Sequence, residues 1–301
     1  MPTTTGVAGT TTDRRSPPLA AGYVRATVDL MTTQPRPTQP RPLRAARELL
    51  LLVALYAAYS LARTFGDGDL AEATSHAQSL LGLEHALHLD VEMWANRALH
   101  DVPLLAVLAS YWYAALHYLV TPALLVTVYR RAPEHYRRVR NTLVTGSAIG
   151  LVGFTLLPMA PPRMLPGYVD TLASTSGSGW WGGDASAPKG LGSLTNELAA
   201  MPSLHVGWAF WCAWVVYLLT RDLRMRRAGL AYAAGTALVV VATANHYVLD
   251  GVAGVAVMAV GWAVATLPAR RRAAVPAPVS VQGQRVVEAW FRQDGPQQEA
   301  A

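Results

Sequence analysis

Charged residues are scarce in this sequence. Only 15% of its 301 residues are Asp, Glu, Lys or Arg, against about 25% in soluble domains. The deficit argues against an ordinary water-soluble domain and removes the usual relation between length and domain number. Cysteine is nearly absent too. The single one, Cys212, sits inside an apolar run. An intramolecular disulfide is excluded, and a cysteine-based metal site has no ligand set. Residues 1–43 lack the apolar core of a secretory signal and are rich in Thr, Pro and Arg. That composition buries nothing and reads as a disordered tail. Missing as well is any basic stripe interleaved with aromatics. The net charge of +6 is therefore read as membrane orientation, and no nucleic-acid partner is expected.

What the chain has in abundance is apolar sequence, 52% of its residues. A helix that crosses a bilayer needs ~20 mostly apolar residues. Six stretches are candidates: Leu49–Ala62, Val102–Tyr129, Thr142–Ala160, Ser203–Thr220, Ala228–Asn245 and Gly251–Pro268. They are apolar all round, as helices in lipid are, and Pro122 predicts a tilt or kink in the second. Arginines crowd every other connection: Arg36, Arg41, Arg44 and Arg47; Arg130, Arg131, Arg137, Arg138 and Arg140; Arg221, Arg224, Arg226 and Arg227; Arg270, Arg271 and Arg272. The positive-inside rule places these on the cytoplasmic side.

The expected fold class is all-α, a polytopic six-helix membrane bundle over residues 45–268. Cytoplasmic tails at 1–44 and 269–301 flank it, and the cell membrane is the expected location. The first outer connection, residues 75–100, reads as one interfacial amphipathic helix, with Leu80, Leu81, Leu83, Leu87, Leu89 and Trp94 on its apolar side. The second, residues 161–200, is long enough to act as a lid. Its Ser174–Gly183 segment reads as flexible, with Trp180 and Trp181 suited to the headgroup zone.

Two motifs stand at the ends of consecutive spans. Met201-Pro202-Ser203-Leu204-His205 opens the fourth, and Asn245-His246-Tyr247-Val248-Leu249-Asp250 follows the fifth. Two consecutive crossings form a hairpin, so both motifs reach one membrane face, the outer one. His246 and Asp250 are spaced i,i+4 and share a helical face. Asp250 can then accept from one ring nitrogen and leave the other free to attack. Pro202 suits a first helical turn, whose free N–H groups favour an anion. Ser203 adds a hydroxyl to that phosphate cradle, and His205 can protonate a leaving oxygen. In Ala160-Pro161-Pro162-Arg163, the prolines end the third span and Arg163 offers a guanidinium fork for phosphate. Other groups carry less: His117 reads as a structural residue far from the outer face, Tyr111, Trp112 and Tyr113 as bundle packing, and His76, His85, His88 and His100 as solvated.

Pro202-Ser-Leu-His205 and His246-Tyr-Val-Leu-Asp250 resemble the second and third signature motifs of the type-2 phosphatidic acid phosphatase superfamily. Together with Ala160-Pro-Pro-Arg163 they look more narrowly like its inositol phosphorylceramide synthase branch, which is inositolphosphotransferase-like. The resemblance spans about residues 45–268. It implies a metal-independent enzyme with no cofactor, in which His246 attacks phosphorus, Asp250 orients it and His205 protonates the leaving group. A phosphohistidine then passes its group to water or to a hydroxyl-bearing lipid acceptor; the substrate is a phospholipid or lipid phosphate. One departure stands out. The phosphatase branch has an arginine six residues before its nucleophile, and here that position is Val240. Fewer cations suit a phosphodiester better than a monoester dianion, which favours the transferase-like branch over a lipid phosphate or prenyl diphosphate phosphatase. Two other classes remain open. Two histidines and an aspartate also describe an open metal triad, as in a metal-dependent membrane hydrolase. A non-catalytic transporter is the other, although it usually needs more polar groups at the midplane than His117.

Overall fold

A computed structural model describes residues 46–51, 53, 54, 57, 69–182, 189 and 196–267. The chain divides into two compact units, Met1–Phe65 and Gly66–Ala301. In the first, the described residues are helical, and Leu49, Leu50 and Val53 are exposed. Most of the predicted first span, Leu49–Ala62, and both predicted tails lie outside the described residues.

The second unit is all-helical among the described residues. Its α-helices in chain order are α1 (Leu70–Ala86), α2 (Glu92–His100), α3 (Pro103–Tyr111), α4 (His117–Arg131), α5 (Pro133–Leu156), a short α6 (Thr171–Ser174), α7 (Leu204–Leu219), α8 (Leu223–Ala242) and α9 (Val248–Thr266). A π-helical turn, Trp112–Leu116, joins α3 to α4 without a break. Local chemistry sets the starts. Asp69 caps α1 by accepting from the Ala71 N–H at 2.9 Å, and Asp222 caps α8 through the Arg224 N–H at 2.8 Å. Both satisfy amides that have no partner within the helix. Pro103 and Pro133 sit in the first turns of α3 and α5, where a missing N–H costs nothing.

Among the described residues, two helices meet the length and apolarity needed to cross a bilayer: the continuous Pro103–Arg131 helix and α9. The α7 helix is apolar but shorter. Helices α5 and α8 are long enough, yet open on Arg137, Arg138 and Arg140 and on Arg224, Arg226 and Arg227. Leu104, Leu105, Leu108, Tyr118 and Leu119 on the first crossing helix, and Val252, Val260 and Val264 on α9, are exposed. An apolar surface of this extent suits acyl chains better than water. The first crossing helix is irregular at the π turn, and α4 runs through Pro122.

The first outer connection departs from expectation. It holds two helices, α1 and α2, parted by a turn in which His88 takes a φ of 57°. The inward face of α1 is Ala73, Ala77, Leu80 and Glu84, while Leu83, Leu87 and Trp94 are exposed. The Trp-rich segment also differs. Trp181 is fully buried and donates to the Leu172 carbonyl at 3.1 Å, because a buried indole N–H needs an acceptor.

Helix α9 lies against α5 and α7, α7 against α8, and α8 against α2. The contact of α7 with α9 is the closest to backbone on backbone. A Cβ on Gly254 would collide with the Ser203 carbonyl, and one on Gly207 would stand 2.7 Å from the Gly254 oxygen. Gly82, in α1, has nothing within 4 Å of such a Cβ. The two positions predict opposite outcomes. Gly82→Ala should raise the unfolding temperature in detergent, since Ala is favoured over Gly by ~0.5–1 kcal/mol inside a helix. Gly254→Ala should lower it, by an overpacking cost of about 1–3 kcal/mol.

Candidate active site

The turn between α8 and α9 builds the site. Ala244 takes the left-handed conformation, φ 56°, just past the end of α8. The N–H groups of Asn245 and His246 both reach back to the Val240 carbonyl at 3.1 Å, closing the helix end as left-handed caps do. The Ala244 carbonyl accepts from the Arg163 backbone N–H at 2.8 Å. Arg163 sits in a 3₁₀ turn, Pro162–Met164. Its Nη1 donates to Asn245 Oδ1 at 2.8 Å and its Nε stands 3.5 Å from Asp170 Oδ2. Asn245 in turn donates to Thr243 Oγ1 at 2.9 Å. The guanidinium is thus held against the residue next to His246.

His246 is buried and its Nδ1 lies 2.8 Å from the Ala200 carbonyl. A carbonyl only accepts, so Nδ1 carries the hydrogen and the lone pair resides on Nε2. Asp250 Oδ2 is farther from Nδ1, at 3.4 Å. It caps its own helix instead, accepting from the Tyr247 N–H at 2.9 Å. The Tyr247 hydroxyl donates to the Ala160 carbonyl at 2.9 Å. Burial pushes that phenol well above its ordinary pKa, so it stays a donor. The two motifs are tied directly, since the Ser203 N–H donates to the Asp250 carbonyl at 2.9 Å.

His205, in the first turn of α7, places its ring centroid 5.6 Å from that of His246. Tyr113 stacks on His205 at 4.4 Å, and His117 meets it edge-on at 4.3 Å. A narrow crevice is lined by Trp112, Tyr113, His117, His205, Tyr232 and Val240. The π turn makes one wall of it, and such turns are frequent at functional sites.

Comparison with known proteins adds one finding: the family model of the PAP2 superfamily matches residues 78–264. The chain belongs to the PAP2 superfamily. No curated protein and no solved structure matches it. Membership points to a phosphatase or phosphotransferase of lipid phosphoesters, and to an enzyme. With the two bilayer-length apolar helices it also supports a membrane location.

Within this PAP2 domain, Ser203, His205, His246 and Asp250 stand together where α7 and α9 begin, and Arg163 joins them through Asn245 and Ala244. Several details differ from expectation. Orientation of His246 falls first to a main-chain carbonyl, with Asp250 behind it. Pro202 precedes α7 rather than joining its first turn, and Ser203 is the N-cap, fully buried, with its Oγ accepting from the Val206 N–H at 3.4 Å. His117 and Tyr113 are neighbours of His205, one just after and one within the π turn. His76 is not simply solvated, since its Nδ1 lies 2.9 Å from the Pro158 carbonyl. Asn245, the Ala200 carbonyl and Asn96 were not foreseen. Asn96 donates to the carbonyls of Val169 and Ala242, both at 3.0 Å, and accepts from the Val169 N–H at 2.8 Å. It pins α2 and the 161–170 segment to the end of α8. Val240 is buried in the wall of the crevice, so the departure from the phosphatase pattern is an apolar one. Among the described residues no group of three His, Cys, Asp or Glu side chains is arranged to hold a metal.

Asn245→Ala removes the acceptor that aims the Arg163 guanidinium. With charged hydrogen bonds contributing ~1.5–3 kcal/mol, kcat/KM for a labelled lipid phosphoester should fall by roughly one to two orders of magnitude. Arg163→Lys should cost a similar amount, because one ammonium replaces a planar fork.

Proposed function

We propose that the protein is an integral membrane phosphotransferase or phosphatase acting on a lipid phosphoester through a phosphohistidine. The observation that carries this reading is the bond from His246 Nδ1 to the Ala200 carbonyl, which leaves Nε2 as a nucleophile beside the His205 ring. In the first step Nε2 attacks phosphorus, a P–N bond forms and the P–O bond to the leaving group breaks. His205 gives its proton to the departing oxygen. In the second step His205 takes a proton from water or from a lipid hydroxyl, whose oxygen attacks phosphorus and breaks the P–N bond. Asp250 stabilises the cationic imidazole, the role the carboxylate plays in serine-protease triads. Arg163 and the Ser203 hydroxyl take the non-bridging oxygens, aided by the N-terminal dipole of α7.

The finer reading is an inositolphosphotransferase-like enzyme that moves a phosphodiester headgroup to a hydroxyl-bearing lipid. Val240 supports it, since an apolar wall in place of a cation suits a singly charged diester. The alternating arginines support a six-span arrangement over residues 45–268, with both termini cytoplasmic and the site extracytoplasmic.

Brief incubation with phospholipids labelled at phosphorus should leave acid-labile label on His246 in the wild type and none in His246→Ala. Label retained by His246→Ala would overturn the assignment. Adding a hydroxyl-bearing lipid should direct the label into a new lipid; release as free phosphate or phosphoalcohol regardless of acceptor would make the enzyme a hydrolase.

A further inference from the structure

The first turn of α9 is capped by three carboxylates drawn from three helices. Asp250 takes the Tyr247 N–H. Glu92, from α2, takes the Val248 N–H through Oε1 at 3.0 Å. Glu84, from α1, takes the Leu249 N–H through Oε1 at 2.7 Å. Three successive amides are thereby satisfied, and two of the acceptors lie more than 150 residues away in sequence, at separations of 156 and 165. Glu84, Glu92 and Asp250 are all wholly buried. The second oxygens of Glu84 and Glu92 have no other partner, and the two carboxyls lie within hydrogen-bonding reach of each other.

Two buried carboxyl groups in contact cannot both ionise cheaply. A single shared proton resolves the conflict, since one group donates to the other while each Oε1 still serves its amide. The pair then carries one negative charge at the positive end of α9, where it is stabilised.

Resting on the phosphoryl-transfer reading above, we propose that Glu84 and Glu92 are positioning residues: by holding one proton between them they clamp the first turn of α9 and set the placement of His246 and Asp250. The surroundings agree with this. Burial, with Glu92 adding to it, raises Glu84 to about 8. The other titratable groups facing the pair are Asp250 and Tyr247 on α9 and its cap, and Tyr168 from the 161–170 segment. Tyr168, pushed up to about 12 chiefly by burial, stays neutral. No cation is ion-paired with Glu84 or Glu92 among the described residues. Loss of the shared proton therefore places a second negative charge in the buried pair, with the amide dipoles at the start of α9 as its nearby compensation.

The sign of the pH dependence follows. A carboxyl whose folded pKa is raised binds its proton more tightly in the folded chain than in the unfolded one. Its stabilising effect is complete below about 4.5 and is lost as pH rises towards about 8.

The test uses the full chain in lipid nanodiscs, comparing wild type with Glu84→Gln and Glu92→Gln. Either amide keeps an acceptor for the helix and a donor for its partner, yet does not titrate; should one variant fail to fold, the other carries the test. Between pH 5 and 9 the wild-type unfolding temperature should decline with the sign given above, and the Gln variants should flatten that decline. For turnover, the wild type at pH 9 should retain roughly a tenth of its pH 7 kcat, the fraction still protonated for a group titrating near 8. The Gln variants should retain more than half of their own pH 7 value, with KM little changed. Identical pH profiles of unfolding in wild type and both variants would overturn the shared proton. A flattened unfolding profile with an unaltered kcat ratio would overturn the positioning role. Failure to label His246 while the unfolding profiles still differ would defeat the phosphohistidine reading and leave the clamp standing.

Discussion

The N-termini of α7 and α9 meet backbone to backbone, and the chemistry of the site depends on that approach. Gly207 and Gly254 let the two helices come together where any side chain would part them. Both macrodipoles then point their positive ends at the same small volume. Ser203 belongs to one end and Asp250 to the other, joined through the main chain. A place with two converging helix ends welcomes negative charge, from carboxylates on the protein side and from phosphate on the open side.

The carboxylates of α1 and α2 answer the first of those demands. The amides at the start of α9 have no intrahelical partners, and the local sequence supplies only Asp250 to cap them. The chain solves this by folding the connection between two helices inward, so that residues far upstream complete the cap. The acidic connection that resembles a solvated loop in composition is, at two positions, part of the scaffold. In the same way the 161–170 segment is bound down by Asn96 and by Arg163 rather than left to solvent.

Much of this was legible in the sequence because it follows from connectivity. Ser203, His205, His246 and Asp250 stand at the ends of neighbouring apolar runs, and a hairpin brings such ends together whatever the packing. Arg163 was legible as the cation that follows Pro161 and Pro162, although α5 already ends at Leu156, before either proline. The Ala200 carbonyl was not, since every residue has one and only the fold says which faces an imidazole. Nor were Glu84 and Glu92: a carboxylate bonded to distant amides has the same one-dimensional appearance as one in water. His117 was set aside for its distance from the outer face, and the π turn beside it leaves no mark in periodicity. Of the leucines read as one apolar side, Leu80 turns inward with Ala73, Ala77 and Glu84, while Leu83 and Leu87 stay exposed.

Arg163 links its own backbone to Ala244 and its guanidinium to Asn245, the two residues that shape the bend before His246. The bend is thereby braced twice from one residue, and any displacement of Arg163 loads both anchors at once. If the guanidinium receives phosphate, as proposed, substrate binding would bear directly on the strut that holds the imidazole.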